Sequence, residues 1–366
     1  MSYKKKDLAK IQNSLSVFPF SLVLGAASFI YGLAVRARIQ AYRSGLVAQE
    51  DLPGAVVSIG NISVGGTGKT PMTILVAQWA QAKGYNVCVL SRGYGGRHRG
   101  EVLEVSDGDQ VKASWKECGD EPYLIAKKVP GVAVVVSRKR YLGGIYAAKK
   151  FGSDFFILDD GFQHLGLKRD LDIVLLDASM PFGNGHLLPL GTLREPPSLL
   201  TRAHALVLSR FIEDGTCQRI ERELAGKFPA TPMFKSIHRP EKLIFPVSQA
   251  SFDPSCMSGK KVAAFAGIGN PTSFQNTLAL LGARVLRFTR FPDHHVYQRD
   301  EIEALAREAK ASGAEMLLTT EKDWIRIGSE FQSDIPFGCL VIAIEIEKEI
   351  RFFDLIEKAI NRAYGI

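Results

Sequence analysis

The chain of 366 residues is long enough for two domains, and 46% hydrophobic against 23% charged residues is the balance of a folded protein, which excludes wholesale disorder and fibrous structure. The formal charge is +8, but the first 50 residues carry seven basic side chains against two acidic ones, a net of +5; the remainder holds no basic, aromatic-laced groove for nucleic acid. Five cysteines, Cys88, Cys118, Cys217, Cys256 and Cys339, form no C-x-x-C pair, which argues against a zinc ribbon or disulfide framework and fits a reducing, cytosolic setting.

Lys4, Lys5, Lys6 and Lys10 on one side and Arg36, Arg38 and Arg43 on the other bracket an uncharged stretch from Val17 to Val35. At about 1.5 Å per helical residue it nearly spans a hydrocarbon core of about 30 Å. A spanning helix would carry Lys4–Lys6 across the membrane, against the positive-inside bias. A helix buried on the globular body leaves the flanking charges unexplained. A helix lying in the interface keeps both basic ends beside anionic headgroups, so residues 1–45 are expected to form a membrane-associating helix.

After Pro53, β-branched runs alternate with amphipathic segments. Strands are predicted at Ala55–Ile59, Asn86–Leu90, Val132–Val136, Asp154–Leu158, Asp172–Leu176 and Ala205–Leu208, with a helix from about Pro71 to Lys83. Such spacing predicts βαβ units, a largely parallel sheet and helices on both faces. The alternation weakens around Pro229–Pro254 and then resumes. Strands are predicted at Lys261–Ala266, Arg284–Phe288, Glu315–Thr320 and Leu340–Glu345, with helices after Pro271, from Asp300 and from Ile350. The expected organisation is an α/β/α domain over 46–235, a linker over 236–258, and a smaller α/β/α domain over 259–366.

Between the first strand and helix runs Ser63-Val64-Gly65-Gly66-Thr67-Gly68-Lys69-Thr70-Pro71. Glycines let backbone N–H groups turn toward phosphate oxygens, and the helix N-terminus adds free donors and dipole. Lys69 reaches the β- and γ-phosphates, and the Thr70 hydroxyl suits Mg²⁺. ATP and Mg²⁺ are therefore the expected cofactors, although Ser63 stands where the usual phosphate loop begins with Gly. A domain that needs ATP also argues against a cleaved export signal at the N-terminus.

The apolar strand Phe155–Leu158 ends in Asp159 and Asp160. That is how a parallel sheet presents acids to Mg²⁺ at its carboxyl edge, although carboxylates also close strands for structural reasons. Gly161-Phe162-Gln163-His164 places polar groups at the same edge. Gly267-Ile268-Gly269-Asn270-Pro271, lacking a third glycine, is expected to be a turn that positions a cleft helix rather than a second cofactor site.

Together with Ser91–Gly96, Gly119–Pro122, Asp159–His164, Leu187–Pro189, Leu193–Pro196, Phe291–Tyr297 and Thr320–Asp323, the loop resembles the tetraacyldisaccharide 4'-kinase family, the lipid A 4'-kinases of Gram-negative bacteria. These segments run in family order from about residue 20 to 325, and Ser63 is similar to the family's own form of the loop. The resemblance implies transfer of the ATP γ-phosphate to the 4'-hydroxyl of a tetraacyldisaccharide 1-phosphate, a lipid A precursor, giving lipid IVA. It implies two α/β/α domains joined by a short β linker, the smaller closing the cleft that holds the site, and association with inner-membrane phospholipids at the cytoplasmic face; the charge distribution already speaks against a nucleic-acid partner, and no protein partner is inferred.

The resemblance also implies an Asp–His pair that deprotonates the acceptor, matched here by Asp120 and His294, with His295 as the fallback. From the residues alone, Asp120 reads first as a cap for the helix near Pro122, and His294 and His295 as a surface or metal pair. Asp159 and Asp160 with Thr70 are the expected Mg²⁺ ligands. Arg92, Gln163, His164, Arg194 and Lys322 are candidate contacts for ATP or for the substrate, with a solvated-face reading open for Arg92, Arg194 and Lys322.

Two rivals carry the same loop. A membrane-cycling ATPase of the partitioning type has a signature Lys before the paired glycines, where this chain has Val64. A non-enzymatic nucleotide-gated membrane module would leave the acidic and histidine motifs without purpose. ATP turnover that depends on a glycolipid hydroxyl separates the kinase from both.

Overall fold

Every residue of Ala55–Gly60 is buried, which is why that strand is a continuous apolar run rather than an alternating one. In the computed structural model, which describes residues 18–328, 331 and 333–365, it sits within a sheet covered on both faces. Lys4, Lys5, Lys6 and Lys10 lie outside the described residues. In chain order the first elements are α1 (Phe18–Arg43), β1 (Ala55–Gly60), α2 (Lys69–Ala82), β2 (Val87–Ser91), β3 (Leu103–Asp107), α3 (Trp115–Cys118), α4 (Asp120–Lys128) and β4 (Ala133–Val136). Next come α5 (Arg140–Phe151), β5 (Phe155–Asp159), β6 (Leu171–Asp177), β7 (Ala205–Ser209), α6 (Gly215–Lys227) and β8 (Met233–Phe245). The rest are β9 (Ala250–Phe252), β10 (Lys261–Ala266), α7 (Pro271–Leu280), β11 (Arg284–Arg290), α8 (Arg299–Ala311), β12 (Met316–Thr320), α9 (Glu321–Ile327), β13 (Phe337–Ile346) and α10 (Glu349–Tyr364).

The strands form one sheet in the order β11-β10-β12-β13-β8-β7-β6-β1-β5-β2-β4-β3, with β9 paired to β8. Pairing is parallel except where β3 meets β4, β8 meets β13 and β9 meets β8. Successive residues of a strand feed opposite cores. In the N-terminal half Val57, Ile59, Phe155 and Ile157 pack under Met72 and Val76 of α2 and Phe352 and Ile356 of α10. Val56, Phe156 and Leu158 face Ala147 of α5, while Val174, Leu176 and Leu208 face Ile220 and Leu224 of α6. In the C-terminal half Phe265 and Leu317 pack on Ile302 and Leu305 of α8, and Ala264 and Leu318 on Phe274 and Leu278 of α7.

The expected strands are present with ends shifted by a few residues. The weakened region hides the longest one. β8 pairs parallel with β7 through Met233–Ser236 and antiparallel with β13 from Ser236 to Ile244, with a register shift beside Pro240. Proline has no ladder donor, so a bulge is where a long strand accommodates it.

α1 continues past Val35 to Arg43 and is long and apolar enough to cross a membrane by length and composition. Ser28 and Ile39 are buried, whereas Leu22, Val23, Phe29, Ile30 and Leu33 are exposed. The Ser28 hydroxyl donates to the Leu187 carbonyl at 3.0 Å and the Tyr31 hydroxyl to the Arg194 carbonyl at 2.9 Å.

Candidate active site

The carboxyl ends of β1, β2 and β5 and the turns after β10 and β11 open into one cleft of about 980 Å³, the position parallel sheets reserve for ligands. Ser63 bridges to Leu193, and the Val64 N–H donates to the Thr192 carbonyl at 2.7 Å, fixing the entry of the phosphate loop. Asn61 Nδ2 donates to Thr67 Oγ1 at 2.9 Å inside it. Gly68, at φ 86, enters α2 in the left-handed region, and a Cβ there would also fall 2.8 Å from His238 Nε2. Val64, Gly65, Gly66, Thr67, Gly68, Lys69 and Thr70 all line the cleft.

Across the loop, β5 delivers the two acids to different surroundings. Asp159 is buried; it accepts from Thr73 Oγ1 at 3.1 Å, while its carbonyl accepts from Arg140 Nη2 at 3.3 Å. Burial, reinforced by the charges of Glu121 and Asp160, pushes its carboxyl up to about 7. Asp160 turns the other way at φ 51, with Lys69 Nζ 3.6 Å and Arg194 Nη1 2.8 Å from its oxygens. Burial would raise its carboxyl, but Lys69 and Arg194 prevail and hold it below the ordinary range. Arg194 also donates to Gln163 Oε1 at 3.4 Å, and Gln163 Nε2 to the Asn61 carbonyl at 2.9 Å.

Asp120 opens α4 but makes no capping bond. Its oxygens lie 2.9 and 3.1 Å from His294 Nδ1, joining the two halves of the chain. The Asp120 side chain is 3% exposed and that of His294 25%, so the imidazole is the member that faces the cleft. Burial works against the Asp120 charge, but the His294 hydrogen bond, Lys322 and Arg326 outweigh it and hold the carboxyl below its usual value. His294 sits at φ 58, with its N–H held by the Gly267 carbonyl at 3.1 Å and Asp293 Oδ1 at 3.0 Å. Its ring packs near Tyr94, centroids 5.4 Å apart. His295 takes another direction, bonded to Glu301 Oε2 at 3.0 Å and stacked on Phe291, so the two histidines do not converge on one metal.

The remaining expected contacts also reach the cleft. Arg92 lines it. His164 is held neutral, its pKa lowered to about 4 by burial and by Arg140 and Arg169. Lys322 is already engaged, 2.8 Å from Glu121 Oε1 and 3.9 Å from Asp120 Oδ2. Sequence reasoning passed over Arg138, Arg140 and His238, which line the same cleft. Arg138 and Arg140 follow the apolar run of β4 as Asp160 follows that of β5, and that strand-end position was the available signal. His238 lies on the unpredicted β8.

A family model described as tetraacyldisaccharide-1-P 4'-kinase matches residues 20–361. The chain belongs to that family. It is 41% identical over 349 residues to the tetraacyldisaccharide 4'-kinase of Syntrophus aciditrophicus, covering 92% of each chain. It is also 41% identical over 307 residues to that of Geobacter metallireducens, covering 84% of this chain and 88% of the relative. Among solved structures it resembles LpxK from Aquifex aeolicus in complex with ATP, with 35% identity and a TM-score of 0.73 over 93% of this chain and 99% of that one.

Proposed function

We propose that the protein transfers the γ-phosphate of ATP to the 4'-hydroxyl of a tetraacyldisaccharide 1-phosphate, giving lipid IVA, at the cytoplasmic face of the inner membrane. The observation that carries this reading is that Lys69 of the phosphate loop and His294, bonded to Asp120, line one cleft. A phosphate donor site and a proton acceptor in one cavity are what transfer to an alcohol requires.

The loop N–H groups from Gly65 to Thr70, together with Lys69, hold the β- and γ-phosphates, while Ser63 and Val64, tied to Leu193 and Thr192, fix the loop's entry. Mg²⁺ fits here because it is commonly held by one or two carboxylates together with substrate phosphates, and Asp159 is a buried carboxylate that makes no ion pair with a Lys or Arg among the described residues. Thr70 and Asp159 would hold the ion, with Asp160 assisting while Lys69 and Arg194 balance its charge. When bound, Mg²⁺ neutralises charge on the phosphate oxygens.

Asp120 stays ionised and keeps the Nδ1 proton of His294, which leaves Nε2 to accept the proton of the sugar hydroxyl, the division of labour known for carboxylate–imidazole pairs. Arg92, Gln163, His164, Arg194 and Lys322 orient phosphate or sugar groups along the cleft. The chain divides into a nucleotide-binding part over 46–235, a linker over 236–258 that includes most of β8 and all of β9, and a second α/β part over 259–366. The exposed face of α1, Leu22, Val23, Phe29, Ile30 and Leu33, lies among inner-membrane phospholipids.

The partitioning-type ATPase is not favoured, since family membership and Val64 both oppose it. Incubating the purified protein with ATP, Mg²⁺ and a disaccharide-1-phosphate lipid tests the proposal. The new phosphate is expected on the 4' oxygen; ATP turnover indifferent to the lipid would refute it.

A further inference from the structure

Behind the Asp120–His294 pair lies a buried ionic network whose Arg326 does more than favour the Asp120 charge. Arg326 and Asp323 of α9 are 1% and 0% exposed at their side chains and meet at 2.6 Å. Neither lines the cleft. Asp323 Oδ1 also accepts from the Tyr297 hydroxyl at 2.7 Å and from the Gly267 N–H at 3.0 Å, while Thr320 holds the other carboxylate oxygen at 2.6 Å. Arg326 Nη2 donates to the Gly267 carbonyl at 3.0 Å, the same oxygen that accepts the His294 N–H at 3.1 Å. Its Nε lies 3.6 Å from Asp120 Oδ2. One guanidinium therefore touches both the carboxylate supplied by the N-terminal half and the carbonyl that fixes the histidine supplied by the C-terminal half.

The backbone explains why such a hold is needed. His294 occupies the left-handed region at φ 58, which a non-glycine residue keeps only when its surroundings over-determine it. Gly267 is required on steric grounds: a Cβ there would lie 2.7 Å from the Tyr297 hydroxyl, 2.9 Å from the Pro292 carbonyl and 3.1 Å from Asp323 Oδ1. The first glycine of Gly267-Ile268-Gly269 thus serves the network and not a second nucleotide.

We propose that Arg326 is a positioning residue that sets His294 against Asp120 through the Gly267 carbonyl and its own contact with Asp120. The proposal rests on the reading of Asp120 and His294 as the proton-accepting pair. A small displacement of a general base is costly because proton transfer needs close, aligned atoms.

The test compares Arg326→Lys and Arg326→Met in the full chain, in detergent micelles with ATP, Mg²⁺ and disaccharide-1-phosphate lipid, with kcat referred to titrated ATP sites. Arg326→Met is expected to lower kcat about 30-fold or more, with KM for ATP and lipid within about twofold, and Arg326→Lys to recover most of the loss. An arginine that serves stability alone would reduce the number of folded sites and leave kcat per site unchanged, and that result overturns the proposal. If Arg326→Met yields no folded protein, Tyr297→Phe decides: a lower kcat at constant KM supports the network, and an unchanged kcat overturns it. Asp120→Ala and His294→Ala serve as the reference. Losses there without a loss at Arg326 sink only this inference, whereas no loss at either sinks the pair itself.

Discussion

Gly269 of the C-terminal half lies against Gly66 of the phosphate loop so closely that a Cβ on Gly269 would sit 2.6 Å from the Gly66 nitrogen. No flexible side chain stands between them to yield, so the two turns meet backbone to backbone. Gly269→Ala is expected to push the halves apart and raise KM for ATP about tenfold, in line with the cost of overpacking. Gly226→Ala is the control, since nothing lies within 4 Å of its Cβ position. Steady-state kinetics of both variants check the pair.

Lys69→Ala removes the cation nearest the expected phosphates and strands Asp160 with Arg194 alone. Phosphate transfer is expected to fall on the order of 1,000-fold. Near-normal turnover would remove the loop from the mechanism.

Asp120→Ala and His294→Ala are each expected to lower kcat by about 100-fold or more while ATP still binds. His295→Ala, whose ring is turned toward Glu301, is expected to leave kcat within about threefold. Calorimetric ATP titration beside the rate measurement distinguishes lost chemistry from lost binding.

His238 has a pKa lowered to about 4, by burial first and by Arg210 second. Its unfolded form binds a proton below about 6.5, so between 6.5 and 4 the unfolded chain holds more protons and stability falls as pH falls. Above 6.5 both forms are neutral and the effect vanishes. At about 1.4 kcal/mol per unit the loss reaches up to about 3 kcal/mol near pH 4. Urea unfolding should show His238→Gln gaining on the wild type across that window; His164 titrates with the same sign, so the slope is reduced rather than abolished. A constant difference from pH 7 to 4 would contradict the assignment.

Phe29→Asp combined with Ile30→Asp places two charges on the exposed face of α1. Burial of such side chains is worth about 1.5–3 kcal/mol each, so partition onto anionic vesicles is expected to drop at least tenfold. Vesicle flotation of the two proteins measures it, and equal flotation would refute the interfacial face.

The parallel strands were legible because a strand covered on both faces has to be apolar throughout, as Phe155–Leu158 is. The phosphate loop was legible because its backbone chemistry dictates residue type and spacing together. β8 was hidden for the opposite reason. Its buried Phe234 and Ser236 alternate with exposed Ile237 and Arg239, and Pro240 interrupts the ladder. The edge strand β3, half exposed and antiparallel, carried no strong run either. Arg326 was out of reach, since an arginine three residues after an aspartate on a helix ordinarily reads as a solvated face. Its burial depends on Tyr297, Gly267 and Asp120, which only the fold assembles.

The hydrogen bond from Tyr31 to the Arg194 carbonyl has a consequence for scale. Helix α1 is hooked to the very residue whose guanidinium grips Asp160, so on the proposed reading the height of the reaction point above the bilayer is set by a few side chains. On that same reading a sugar headgroup has only to rise by that fixed step, its acyl chains still moored among their neighbours, to be phosphorylated without leaving the leaflet.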